Sequence, residues 1–516
     1  MKPTKFFWLL PAVLIGFGAV ADDAAPVQIR SGHRVWSDEE IARGMAALEE
    51  KREVVLEDEN RPQFHMLPVA GWMNDLNGAI EYRGHYHLFY LHNPYQDQAE
   101  GRRIVVWGHS RSKDLVHWER LPIALVPPVD RSRAMSGSSI VAPGGRPMIF
   151  FSHSVMGQPG ITQWAAVGSR NLTRWDLPVE NPVLTAESND GPYFVIGDRN
   201  ENPVHSWRDP YVFETEGRYF MLLGVVREER PLLAIYEADN DRLTGWTYRG
   251  EFFSDPDNEV EFFECPKFFR LEDCWVLVYS PNSGNLVEYA VGDFNFDDFR
   301  FRPTAKGIVD HSRRFYVAEN FDLADGRRVL MGWIPGWNAE DNLGKDWNGL
   351  VSLPRQLSLA SDGTLLQRPW PTLQTLRGKP TAVRDLRVSG NTSLGEHAGH
   401  LELAMAAESK PLTLKLRCDA DGEAAVRIRY SGGRLFLNEQ SAPISVQGDL
   451  DLRVFLDGGV VEVFAEQGRV CLSDLIDVAG AGKAIEVESG EPVLVKTLTT
   501  WPMRKIWDGA AAFSEN

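Results

Sequence analysis

Five short apolar runs recur through the first two thirds of the chain at intervals of about sixty residues: Tyr86–Tyr90, Met148–Phe151, Tyr219–Leu223, Trp275–Tyr279 and Val329–Trp333. Between them returns a second theme that ends in an aromatic. It is seen in Ser112-Lys113-Asp114-Leu115-Val116-His117-Trp118, Asn171-Leu172-Thr173-Arg174-Trp175, Leu243-Thr244-Gly245-Trp246 and Asp297-Asp298-Phe299. Such short apolar runs have the length of a strand, and the period is that of a multi-stranded propeller blade rather than a solenoid helix pair. The repeats therefore predict an all-β chain led by a five-bladed β-propeller over residues 60–370, with the aromatic theme on the outer strand of each blade. Inner strands of a propeller all face the axis, so residues distant in sequence can converge there.

Arg368-Pro369-Trp370-Pro371 marks a change of composition and a connection. Beyond it, Leu412–Leu416, Ala425–Tyr430, Leu452–Leu456 and Val460–Phe464 alternate as antiparallel strands with turns between, which predicts a C-terminal β-sandwich over residues 380–505. Its expected role is to pack against the propeller, with a lectin-like role as the alternative. Ahead of the propeller, residues 22–59 form an extension. Within it, Ser37-Asp38-Glu39-Glu40 has the form of a capping box, and Ile41, Met45 and Leu48 follow at helical spacing.

Lys2 and Lys5, the apolar run Phe6 to Phe17 and the small residues Ala19-Val20-Ala21 give residues 1–21 the pattern of a secretory signal peptide. The expected location is secreted or periplasmic, with no membrane span after cleavage, since no later segment approaches the roughly 20 apolar residues a span needs. A formal net charge of −18 with no basic run argues against nucleic acid as a partner. Export would permit disulfides, and a Cys418–Cys471 bridge is one option. No Cys/His spacing resembles a metal site, and no cofactor is expected.

Three carboxylate-bearing strings lie in chain order: Gly71-Trp72-Met73-Asn74-Asp75-Leu76-Asn77-Gly78, Trp207-Arg208-Asp209-Pro210 and Phe263-Glu264-Cys265-Pro266. Cleaving a glycosidic bond takes one carboxylate to attack or balance the anomeric carbon and one carboxylic acid to protonate the leaving oxygen. Asp75 and Glu264 are the candidates for those roles. Asn74 and Asn77 flank Asp75 and are expected to hold its carboxylate ionised and aimed, whereas Phe262-Phe263 and Cys265-Pro266 give Glu264 an apolar neighbourhood that favours its protonated form. Asp209, with Arg208 beside it, can hold sugar hydroxyls while positive charge builds on the ring.

Together the strings resemble glycoside hydrolase family 32, the β-fructofuranosidases, and the similarity runs over roughly residues 55 to 500. It extends to Arg61-Pro62-Gln63-Phe64-His65-Met66, Trp107-Gly108-His109, Ser136-Gly137-Ser138, Met331-Gly332-Trp333 and Leu353-Pro354-Arg355-Gln356-Leu357. Asp457-Gly458-Gly459-Val460-Val461-Glu462-Val463-Phe464 is similar to the family's terminal sandwich module. The resemblance implies a retaining hydrolase that releases fructose from levan, inulin or sucrose-type fructosides through a covalent fructosyl-enzyme intermediate. It implies Asp75 as nucleophile, Glu264 as acid and base, Asp209 as transition-state stabiliser, and Asn74, Trp107, Ser136 and Arg208 as substrate contacts. A retaining pair should stand about 5–5.5 Å apart. This chain departs from the family at Leu76 (usually proline), Leu91 (glutamine), Arg314 (aspartate) and Met135 (an aromatic). Two other functions fit the same residues: a fructosyltransferase, in which a sugar hydroxyl replaces water, and a non-catalytic carbohydrate-binding homologue. An arabinan-cleaving five-bladed propeller is a further alternative.

Overall fold

Each of the five apolar runs forms the second strand of a separate antiparallel sheet. Blade I is Gly71–Tyr82, His85–Asn93, Val106–Ser112 and Trp118–Leu125; blade II is Ser132–Ala142, Arg146–Val155, Thr162–Gly168 and Trp175–Asp176. Blade III is Trp207–Thr215, Arg218–Arg227, Arg230–Ala238 and Trp246–Phe253; blade IV is Glu264–Leu271, Cys274–Ser280, Glu288–Asn295 and Arg300–Ile308. Blade V is built from Tyr316–Asp322, Arg328–Ile334, Arg355–Leu359 and Leu365–Pro369. The five first strands touch one another in cyclic order around the axis, and Trp347–Asn348, in the connection between the second and third strands of blade V, adds in parallel to Gly71 and Trp72 and so ties blade V back to blade I. This computed structural model describes residues 38–97, 105–127, 132–155, 160–185, 207–227, 230–255, 260–282, 286–336 and 342–507. The leader expected at residues 1–21 and the serine of the expected capping box, Ser37, lie outside them.

The aromatic theme opens the outer strand of blades I to III and stands one residue ahead of it in blade IV, and its form has a local cause. In the turn before the aromatic, Leu115, Leu172 and Leu243 adopt left-handed backbone, with φ of 66°, 59° and 56°, and in blade IV the aromatic Phe299 itself does so, with φ of 56°. That conformation costs a non-glycine residue roughly 1–2 kcal/mol. The three leucines are fully buried, a gain of about 1.5–3 kcal/mol each that offsets the strain. Asx side chains close the turns: Asp114 accepts from the amides of Val116 and His117, Asn171 from Thr173, and Asn240 from Arg242. The following tryptophan returns its indole N–H to the leucine carbonyl, at 3.1 Å for Trp118 and 3.2 Å for Trp175.

Beyond a short 3₁₀ turn at Pro371–Leu376, ten strands form one sheet that folds into two layers. The long strand Ala484–Pro502 pairs along one edge with Thr381–Glu396. Its other edge is shared between Leu412–Cys418 and His400–Glu408, and two groups of strands diverge from there. Leu414, Val426, Leu452 and Val463 are among the aliphatic side chains in the core between them. All four cysteines are free, so the Cys418–Cys471 bridge does not form. Cys471 instead joins the hydrophobic cluster between the sandwich and the propeller, while Cys418 lies on a strand well separated from it in the sheet order. Ahead of the propeller, the helix Asp38–Glu50 rests on the outer strand of blade I, where Gly44 lets it approach Ile123.

A largely buried polar network joins propeller to sandwich. Asp457 accepts from the backbone amides of Gln63, Phe64 and His65 and from the rings of His65 and His400. Glu462 takes the other ring nitrogen of His65, the Leu353 amide and the Arg355 guanidinium, which also reaches Asp310. Burial opposes the charged form of His65, but the two carboxylates overcome it and raise its pKa to about 9. The strings around His65, Arg355 and Asp457 thus work as a weld between the two β-units. Among the described residues no helix is long and apolar enough to cross a membrane.

Candidate active site

The ladder of every blade slips by a β-bulge on its inner strand, at the level of the candidate residues. In blade I the register breaks between Met73 and Leu76, in blade II between Ala134 and Gly137, in blade IV between Glu264 and Lys267, and in blade V between Tyr316 and Glu319. In blade III it breaks opposite Asp209 and Pro210. A bulge leaves residues unpaired and bends the strand, which re-aims their side chains. Three of these residues are also held in left-handed backbone: Asp209 (φ 64°), Cys265 (φ 47°) and Val317 (φ 38°). Such strain persists only where the surroundings over-determine it. Here the Ser152 hydroxyl accepts from the Asp209 amide, and Asp209 Oδ2 accepts from the Cys265 amide at 3.2 Å.

The bulges bring Asp75, Asp209 and Glu264 onto one cavity of about 1060 Å³, together with Asn74, Ser136 and Arg208. The Ser136 hydroxyl donates to Asp75 Oδ2 at 2.5 Å. Arg208 Nη2 donates to Glu264 Oε1 at 2.5 Å, and its Nε stands 3.5 Å from Asp209 Oδ2, so one guanidinium bridges two of the three acids. Arg208 also lies over the Phe262 ring at 3.9 Å. Tyr316 donates its hydroxyl to Glu264 Oε2 at 2.6 Å.

Burial, followed by the charges of Glu264 and Asp209, pushes the Asp75 carboxyl up to about 7 against the opposing hydrogen bond of Ser136. Burial likewise raises Asp209, with Arg208 opposing it. Burial would lower Arg208, but Asp209 and Glu264 outweigh it and keep the guanidinium charged. The phenol of Tyr316 is driven far above its ordinary range by burial and by Glu264, so it serves as a donor.

Several expectations change. Asn74 and Asn77 do not donate to the Asp75 carboxylate: Asn74 Oδ1 accepts from the Asp75 amide, and Asn77 bonds the Asp75 carbonyl and the Gly137 amide, so both fix backbone. Glu264 is not set among apolar groups, because Phe263 turns away into the core of blades III and IV while Arg208 and Tyr316 meet the carboxylate. Trp107 is fully buried behind the cavity wall, where its indole donates to the Met135 carbonyl at 3.1 Å, and it does not line the space. Sequence reasoning passed over Tyr316 as a partner of Glu264, and over Trp72 and Trp333 in the lining. The signal for Tyr316 in the sequence was its place two residues after the departure at Arg314. Leu91, Met135 and Arg314 all line the cavity, so three of the four departures fall on its wall.

Residues 65–369 match the N-terminal domain of the glycosyl hydrolases family 32, and residues 372–502 match that family's C-terminal domain. The chain belongs to glycosyl hydrolase family 32. It is a glycosidase that hydrolyses O-glycosyl bonds. Among curated members of the family, a levanase of Bacillus subtilis is 29% identical over 89% of this chain and 72% of its own length. A sucrose-6-phosphate hydrolase of Escherichia coli is 30% identical over 80% of this chain and 89% of its own. Among solved structures of the family, sucrose-6-phosphate hydrolase from Lactobacillus gasseri superposes with a TM-score of 0.76 at 22% identity, covering 92% of this chain and all of that one (100%). Fructan 1-exohydrolase IIa from Cichorium intybus, in a complex with 1-kestose, gives 0.75 at 21% identity over 87% and 98%. At these identities the structures speak to the fold.

Proposed function

We propose that the protein is an exported retaining β-fructofuranosidase that releases fructose from levan, inulin or sucrose-type fructosides. The observation that carries this reading is the meeting of Asp75 and Glu264 on one cavity with Arg208 and Asp209 between the strands that bear them. The names of the curated relatives, levanase and sucrose-6-phosphate hydrolase, support a fructoside substrate. Export rests on the composition of residues 1–21.

In this mechanism Asp75 attacks C2 of the fructosyl unit as the bond from C2 to the leaving oxygen breaks, and Glu264 gives its proton to that oxygen. Water then enters. Glu264 takes a proton from it as the water oxygen bonds to C2 and the ester to Asp75 breaks. Asp209 accepts hydrogen bonds from ring hydroxyls, which strengthen as positive charge builds on the sugar. Arg208 holds Asp209 and Glu264 at a fixed separation, and Ser136 aims Asp75. Asn74 shapes the wall beside it.

The test is fructose release from sucrose, inulin and levan by the wild type, by Asp75→Ala and by Glu264→Gln. Loss of the acid is expected to lower kcat by roughly 10²–10⁴-fold. Mass spectrometry of enzyme quenched during turnover should find a fructosyl adduct on the peptide holding Asp75. Binding of a fructan without any release by the wild type would refute the hydrolase reading, and formation from sucrose at high concentration of oligosaccharides longer than sucrose would make it a transferase.

A further inference from the structure

The cavity that holds the acids is not closed by the propeller alone. Its lining includes Glu439 and Gln440, which belong to the sandwich. Asn438 and Glu439 form the tip of a hairpin between strands Arg434–Leu437 and Gln440–Pro443. Asn438 adopts left-handed backbone (φ 50°), as a two-residue hairpin tip requires, and it exchanges hydrogen bonds with the backbone of Arg427. Both flanking side chains are anchored on the neighbouring strand Val470–Leu475: Asn438 Nδ2 donates to Asp474 Oδ2 at 3.4 Å, and Gln440 Nε2 to Asp474 Oδ1 at 3.2 Å and to the Ser473 carbonyl at 3.3 Å. The tip is therefore fixed, with the exposed Glu439 carried at its end over the cavity.

The adjoining propeller lip is docked on the same sandwich strand. The His311 amide donates to the Cys471 carbonyl at 2.9 Å, Asp310 accepts from Ser473, and the charge of Arg314 acts on Asp474. His311, Arg313 and Arg314 line the cavity from this side. Propeller loop and sandwich hairpin thus form one continuous outer wall, registered to each other through a single strand. The open cavity, about 1060 Å³, is slightly larger than the ~300–1,000 Å³ that holds a whole drug-sized ligand, which is more than one sugar ring fills.

From this geometry we infer that the sandwich hairpin supplies a binding site for the sugars on the leaving side of the scissile bond, with Glu439 as its specificity-determining contact. The inference rests on the fructosidase reading and deepens it. Its ligand is the second and later units of a fructan chain, neutral sugars whose hydroxyls donate to the Glu439 carboxylate. Held by the weld between the two β-units, the hairpin gives the sandwich a part in substrate selection that the expectation of a packing role left out.

Glu439→Ala and Glu439→Gln, made in the full chain, test it against β-fructosides ranging from the disaccharide through trisaccharide and tetrasaccharide to inulin and levan. Because the residue is exposed at a turn, the melting temperature should not move. For Glu439→Ala, kcat/KM on the longest substrates should fall about five- to tenfold through KM, kcat should hold, and the disaccharide should change less than twofold. Glu439→Gln, which keeps an acceptor, should recover part of the loss. Equal effects on all chain lengths, or none on any, would overturn the inference while leaving the fructosidase reading intact. Failure of the wild type to release fructose would instead remove that reading.

Discussion

Asp75, half-buried on the cavity of the propeller, and Asp457, fully buried at the weld, are both carboxylates shielded from water, and the protein treats them in opposite ways. Asp457 receives three backbone amides and two imidazoles, which hold it well below the usual carboxylate range although burial alone would raise it. Asp75 has Ser136 as its side-chain donor and two acids for neighbours, and it is pushed up to about 7. The strands that carry them differ in the same sense. The strand Asp449–Asp457 pairs with Val460–Ala465 without a register break, whereas the strand of Asp75 is bulged at the acid itself. A carboxylate whose hydrogen-bonding capacity is filled stabilises the fold, while one left partly unfilled keeps that capacity for a substrate.

Substitution at the two acids should therefore change stability with opposite sign. Asp457→Asn leaves the buried charge of His65 without one of its two carboxylates, and breaking a buried pair of this kind costs about 3–5 kcal/mol. Denaturant titration should show that loss, while kcat per folded molecule stays near the wild-type value. Asp75→Asn should abolish turnover yet raise the melting temperature at neutral pH, because it removes a charge the folded state disfavours. If both variants destabilise equally, the contrast between the two acids fails.

The pH dependence of unfolding gives the next largest effect. The folded pKa of Asp457 is depressed, so its contribution is complete above the ordinary 3.8 and is lost as pH falls below it. His65 is raised from 6.5 to about 9, so its contribution is complete below 6.5 and disappears as pH rises through 9. Asp75, raised from 3.8 to about 7, works the other way from Asp457: the unfolded chain gives up its proton first, and stability declines as pH rises between those values. Melting curves across this range should show the Asp457 limb vanish in Asp457→Asn and the decline from about 4 to about 7 shrink in Asp75→Asn.

The smallest change is expected in Ser136→Ala, which removes the donor that opposes the rise of Asp75. A hydrogen bond to a charged group contributes about 1.5–3 kcal/mol, equivalent to roughly 1–2 pH units at the group it serves. The acid limb of kcat/KM should move to higher pH by about that amount, with activity retained on its alkaline side. An unmoved limb would mean that another group sets it.

Much of this architecture was legible because its causes are local. The recurrence of apolar runs and of leucine-and-aromatic turns reports burial within one blade, and each turn closes through side chains only a few residues apart. Strand patterns beyond Trp370 were readable for the same reason. The errors fall where a partner comes from elsewhere in the chain. Asn74 and Asn77 stand beside Asp75 in sequence, but a bulge turns them onto backbone; Phe263 stands beside Glu264, but the strand carries it into a different core. The string around His65 entered only as part of the family resemblance, and its partners are in the sandwich almost four hundred residues away.

By itself the sequence determined the number of blades, the succession of two β-units and the order of the three acids, since periodicity and residue type act over a few positions at a time. Tertiary structure alone decided which side chain each acid touches, how far its proton affinity moves, that Trp107 stays behind the wall, and that a sandwich hairpin reaches the cavity. Those outcomes depend on distances between segments far apart along the chain and on the water excluded where they meet. No local pattern carries that information.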